Sequence, residues 1–215
     1  MTLKIDLHVH TIYSYDSLIT PEQLVFYARK RGLDGVAITD HDRLDSAVKL
    51  ARELKELLII PGMEISSKNG HIIALNATEM VPAGLNVCET LDRIHKVGGL
   101  AIACHPIGIF KGSLQRHMHS LFDAVEVVNS SVFPFNYSVR RSRRMASQYK
   151  IPMVAGSDAH YGPEIGYAYT EVDADPEIEE ITSAIKKGFC YPHGMSIPIM
   201  TRVKRKILLL KRRFS

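Results

Sequence analysis

Asp6-Leu7-His8-Val9-His10 closes the first apolar run of the chain, and the reading of the fold starts there. In an extended segment alternate side chains point to the same side, so His8 and His10 project together. Two neighbouring imidazoles at a strand end are a ready pair of ligands for zinc, iron or manganese-like ions. A single His-x-His more often decorates a surface than builds a site. Here the arrangement, an apolar run ending in His, Asp or Glu, recurs four more times.

Working outward, Leu3–His8 reads as the first strand, and Thr20-Pro21-Glu22 opens a helix with Thr as cap and Pro at the first helical position. Val36–Thr39 ends in Asp40-His41-Asp42, Leu58–Met63 delivers Glu64, Leu100–Cys104 ends in His105, and Pro152–Gly156 ends in Ser157-Asp158-Ala159-His160. Asn69-Gly70 signals a tight turn before a strand at His71–Leu75. Simple hairpin pairing puts Glu64 and His71 on one face but several residues apart, so joint use in one cluster calls for a bend or bulge. Ala124–Val128 and Ala168–Val172 are further strands, with helices near 21–31, 44–57, 87–97 and 176–187, and one carrying Arg140, Arg141, Arg143 and Arg144. Alternating helices and nearly continuous apolar strands imply a parallel sheet covered by helices. A closed β/α barrel brings the strand ends to one mouth, whereas a doubly wound sheet spreads them along an edge. Convergence of the ligands favours the barrel. His95, His117, His119 and His193 fit none of these strand ends and read as ordinary satisfied imidazoles.

The 215 residues suit one large domain, and 46% apolar with 23% charged residues describes an ordinary globular chain. No apolar run reaches bilayer length, and the N-terminus lacks a signal-peptide pattern. Three scattered cysteines, Cys88, Cys104 and Cys190, argue against a disulfide framework and for a reducing, cytoplasmic setting. The net charge of +4 comes from the end of the chain. Seven basic residues and no acid follow Met195, leaving a body of 20 basic against 23 acidic residues, near −3. The expected division is therefore a barrel over 1–200 and a basic tail over 201–215. No candidate ligand lies after His160, so the tail is expected to be dispensable for chemistry.

Asp-Leu-His-Val-His, Ile-Thr-Asp-His-Asp, Gly-Met-Glu-Ile, Gly-His-Ile-Ile, Cys-His-Pro and Gly-Ser-Asp-Ala-His resemble the ordered motifs of the polymerase-and-histidinol-phosphatase (PHP) family, across Lys4 to about Gly188. The resemblance implies a distorted seven-stranded β/α (TIM-like) barrel, as a single domain, holding two or three divalent ions. It puts His8, His10, Glu64 and Asp158 on one ion, Glu64, His71 and His105 on a second, and Asp16, His41 and His160 on a third. Glu64, Asp158 and His160 are the expected catalytic residues, and Asp6 and Asp40 resemble partners that orient a ligating ring. An all-nitrogen-and-oxygen set does not separate Zn²⁺ from Mn²⁺ or Fe²⁺. Ions bridged by Glu64 and Asp158 would acidify a shared water to a hydroxide that attacks phosphorus, and would neutralise the leaving oxygen. Arg140 and Arg144 are candidates for a phosphate clamp.

The expected activity is metal-dependent hydrolysis of phosphate esters, first of all a monoester of a small metabolite or nucleotide. An exonuclease or phosphodiesterase is the alternative within that class. Longer nucleotide-acting relatives resemble one another in carrying an inserted subdomain between the positions of His71 and His105, which here lie only 34 residues apart. A different class of function, a module with structural metals, would use the basic tail on nucleic acid or an anionic membrane surface, and the alternative for the tail is a basic amphipathic end helix that docks its apolar side on the barrel.

Overall fold

The computed structural model describes residues 1–109 and 112–213. Phe110, Lys111, the Arg213 side chain, and Phe214 and Ser215 at the end of the expected tail lie outside the described residues. Among the described residues no helix is long and apolar enough to cross a membrane.

Among the described residues nine strands form one sheet in the order β7-β6-β5-β4-β3-β2-β1-β8-β9. They are β1 (Thr2–Val9), β2 (Gly35–Ile38), β3 (Leu58–Ser67), β4 (Gly70–Leu75), β5 (Leu100–Ala103), β6 (Ala124–Asn129), β7 (Met153–Gly156), β8 (Ala168–Asp173) and β9 (Cys190–Gly194). The helices are α1 (Pro21–Lys30), α2 (Asp45–Glu53), α3 (Val87–Lys96), α4 (Phe135–Tyr149), α5 (Ile178–Lys187) and α6 (Ile199–Arg213). The Thr20 hydroxyl accepts the Gln23 N–H and so caps α1, as the Thr-Pro-Glu sequence implies. Asn86 and Glu89 form a reciprocal capping box on α3.

The sheet curls until it almost closes. Beyond β7 the backbone returns to β1: Asp158 N–H donates to His8 O at 2.8 Å and His10 N–H to Ala159 O at 3.0 Å. One apolar cluster takes Ile5, Ala37, Ile60, Ile73, Ile102, Ala124, Val154 and Val172, a member from every strand from β1 to β8. Only the inside of a curled sheet offers that to one cluster. A second cluster packs Leu24 and Ala28 of α1 with Ala47 and Leu50 of α2 against β2, and a third packs Leu91 and Ile94 of α3 and Ala146 of α4 against β3–β7.

Two expectations need correction. The strand count is nine rather than seven, because β8 and β9 form an antiparallel extension paired to the first half of β1. The sequence of β9, Cys-Tyr-Pro-His-Gly, carries weak strand signals, and its proline is tolerated because β9 is an edge. The sheet is also mixed rather than parallel, since β4 runs antiparallel to both β3 and β5. A two-residue turn at Lys68-Asn69 leaves no room for a crossover and forces the hairpin.

Candidate metal centre

The strand ends meet at one mouth, with Glu64 at its middle. Glu64 lies inside β3, because β3 continues to Ser67 before turning back as β4. Its carboxylate is 1% exposed and faces five imidazoles. Oε2 lies 3.0 Å from His10 Nε2, 3.2 Å from His8 Nε2 and 3.4 Å from His41 Nδ1. Oε1 lies 2.7 Å from His71 Nδ1 and 3.0 Å from His105 Nε2. His71 pairs opposite Ser66, which makes it a diagonal neighbour of Glu64, so the hairpin joins the two without the expected bend or bulge.

Asp158 Oδ1 lies 3.5 Å from His160 Nδ1, 3.6 Å from His10 Nε2 and 3.7 Å from His8 Nε2. Toward the opening, Asp16 Oδ2 lies 3.1 Å from His160 Nε2 and 3.4 Å from His41 Nε2. The nine candidate ligands therefore converge, in overlapping groups: His8/His10/Asp158, His8/Glu64/His105, His41/Glu64/His71 and His10/Asp16/His41/His160. Asp158 and His105 adopt left-handed backbone, with φ of 54° and 30°. Non-glycine residues held there mark strain that the surroundings impose.

Charge explains why these groups call for cations. Burial opposes protonation of His8 and His10, yet the surrounding carboxylates outweigh it, raising His8 well above its ordinary value and His10 to about 9. Burial would raise Glu64, but the His8 charge and the imidazoles around it hold the carboxyl well below the usual range. His160 goes the other way, down to about 4, through burial and the charge on His10. His8 Nε2 and His10 Nε2 face each other at 3.1 Å, and Asp16 Oδ1 is buried without a hydrogen-bond partner. Neighbouring ligands of a tetrahedral zinc at about 2.0–2.1 Å stand about 3.4 Å apart, so these spacings are those of a coordination shell. Six imidazoles and three carboxylates, with no thiolate, fit divalent zinc, manganese or iron. The nearby Cys104 thiol is pushed well up by burial and by the Glu64 charge, and stays protonated.

Four supporting contacts were not legible as ligands. Glu126, in the middle of the apolar β6, places Oε1 3.0 Å from His8 Nδ1 and accepts the His105 N–H through Oε2 at 2.8 Å. It fixes the His8 ring so that Nε2 faces the cluster. The one signal was a glutamate inside an apolar run. Asn129, at the end of β6, donates to Glu126 and Asp158; Ser14 sits 3.3 Å from His10 Nδ1; Cys104 donates to Glu64. Asp6 and Asp40 bond to no imidazole. Asp6 accepts the N–H groups of Ser157, Gly166 and His8, and Asp40 accepts from Thr11 and Ser46. They hold backbone and loops in place of rings.

A cavity of about 540 Å³ opens over the cluster. Arg140 and Arg144 are exposed on α4 and do not line it. The cations on its wall are Arg202, Arg205 and Lys206 of α6, which lies at the mouth rather than apart from it.

Comparison with known proteins agrees with this geometry. The family model PHP_C, described as PHP-associated, matches residues 136–190. Uncharacterized protein MJ1587 of Methanocaldococcus jannaschii is 37% identical over 141 residues, 60% of this chain and 82% of that protein. The 5'-3' exoribonuclease Rnm of Salmonella typhimurium is 30% identical over 173 residues, 74% of this chain and 57% of that protein. A protein of Caldicellulosiruptor bescii named "Probable phosphatase" is 27% identical over 200 residues, 77% of this chain and 83% of that protein. Among solved structures, a two-domain protein from Bacteroides vulgatus containing a predicted PHP-like metal-dependent phosphoesterase superimposes with a TM-score of 0.72 at 20% identity, a likeness of fold. It covers 91% of this chain and 65% of that one. With its ordered motifs, its curled sheet and these relatives, the chain belongs to the PHP family.

Proposed function

We propose that this chain hydrolyses phosphate monoesters of small metabolites or nucleotides, with two or three divalent ions held by His8, His10, Asp16, His41, Glu64, His71, His105, Asp158 and His160. The observation that carries the reading is the Glu64 carboxylate, whose two oxygens face separate sets of imidazoles as a bridging ligand does. Bound ions of this kind lower the pKa of water, polarise phosphoryl oxygens and neutralise a leaving oxygen. The chain's own residues position and exclude. Glu126 and Asn129 hold His8 and Asp158 in place. Burial of the inner ligands keeps bulk water from competing. Arg202 and Lys206 place positive charge on the outer wall, which suits a phosphate. The cavity volume lies within the range of small-ligand sites. Only the end of β4, α3 and β5 lie between His71 and His105, so no inserted subdomain roofs the mouth.

A terminal phosphate dianion offers more oxygens to several ions than an internal diester does. The similarity to a protein named as a phosphatase supports the monoester reading. A second reading, stepwise cleavage of a 5′-phosphorylated nucleic acid, is favoured by the basic helix at the mouth and by the similarity to Rnm. Anionic surfaces would meet the same helix. The test is kcat/KM under one metal for a nitrophenyl monophosphate, its diester analogue and a 5′-phosphorylated oligonucleotide. The monophosphate is expected to win, and clear preference for the diester or the oligonucleotide overturns the ranking.

A further inference from the structure

Sequence alone makes the end of the chain a dispensable tail. In the structure its arginines grip the loops that carry candidate ligands. Arg202, Arg205, Leu209 and Arg212 recur at three- and four-residue intervals and so share one face of α6. Arg202 donates to Ser131 O at 2.8 Å and Ser130 O at 2.7 Å, the two residues after Asn129, whose amide donates to Asp158. Arg205 donates to Glu164 Oε2 at 2.9 Å, and that same oxygen accepts the His160 N–H at 3.0 Å. Arg212 donates to Ser17 O at 2.6 Å, in the residue after Asp16. The Ser17 hydroxyl in turn donates to His10 O at 2.8 Å.

These contacts matter most for the outer group, Asp16, His41 and His160. His8 sits on a strand and Glu64 inside one, but Asp16 and His160 sit on loops, where backbone is placed only by what holds the loop. Arg202 spends its donors on Ile197, Ser130, Ser131 and Ser196, which is how a fastening is built rather than a substrate receptor. Glu164 is wholly buried, so its carboxylate depends on Arg205 for compensation as well as on the His160 N–H.

We propose that α6 is a clamp that sets the outer ligand group, with Arg205 positioning His160 through Glu164 and Arg212 positioning Asp16. The inference rests on the reading that these groups hold metal. The experiment measures metal retained per full-length chain after timed exposure to a chelator, in the wild type, Arg205→Met, Arg205→Lys and the double variant Arg205→Met/Glu164→Gln. Arg205→Met is expected to lose one equivalent, with roughly 10- to 100-fold weaker affinity for it, while the inner equivalents stay. Arg205→Lys is expected to recover part of that loss. The double variant removes the uncompensated buried charge, so its thermal stability should return while the outer equivalent stays weak; it carries the measurement if Arg205→Met does not fold. Wild-type retention in Arg205→Met, or full recovery in the double variant, overturns the clamp and reduces Arg205 to a charge partner. A wild type that holds no metal overturns the metal reading itself.

Discussion

At the scale of residues, Glu64 and Asp158 do different jobs with the same functional group. Glu64 is reached by five rings and links two sides of the mouth, while Asp158 is held by Asn129 on one oxygen and faces His8, His10 and His160 with the other. Asp158→Asn keeps the shape but removes the charge that a divalent cluster needs. It is expected to cut hydrolysis to about a hundredth or less and to lower metal content, with the circular dichroism spectrum unchanged. Activity above that level in a fully folded variant contradicts a central role for Asp158. His8, His10, His41, Glu64, His105, Asp158 and His160 were legible because each stands at, or just beyond, the end of an apolar run, whereas Asp16, in a polar loop, and His71, at the start of a strand, were assigned as ligands only through the family resemblance. Glu126 was not legible, since it interrupts a run instead of ending it and its partner, His8, is 118 residues away.

At the scale of elements, the β3–β4 hairpin shows why spacing in sequence misjudges spacing in space. The diagonal of an antiparallel ladder brings residues 64 and 71 together through regular pairing. The loop that follows β5 makes the space for that contact: a Cβ on Gly112 would collide with the His71 ring, and His71 N–H donates to Gly112 O at 2.7 Å. Gly112→Ala is expected to displace His71, weaken metal retention and lower kcat at least about tenfold, with little change in fold. Unchanged metal content and kcat in that variant would remove His71 from the ligand set. Strands β1 to β8 could be read from apolar runs and turn residues, since those signals are local. The placement of α6 could not, because arginine donors that end on backbone carbonyls leave no pattern in the sequence.

At the scale of the whole molecule, stability is expected to depend on metal content. In the bare chain the buried carboxylates are balanced by protons on His8 and His10, while burial and the His10 charge push His160 down, so bound ions would take over the charge balance that protons otherwise supply. A ligand at a thousandfold excess over its Kd stabilises by about 4 kcal/mol, which in a chain of this size is about 10 °C in Tm. Stripping with a chelator should therefore lower Tm by at least that amount, and re-addition of zinc, manganese or iron should restore it. Elemental analysis of the reloaded protein is expected to find more than one equivalent per chain; one or fewer contradicts a multinuclear site. The seam where residues 158–159 meet β1 has a further consequence, for the order of events during synthesis. A growing chain exposes His8 and His10 early, but it cannot complete their cage until residues 158–160 have been added and folded back. The full cage is thus available only after residues 158–160 have emerged, and α6 fastens it later still. Ion choice then falls to whatever metal supply surrounds the nearly finished barrel, with intrinsic affinities that favour zinc over iron and manganese.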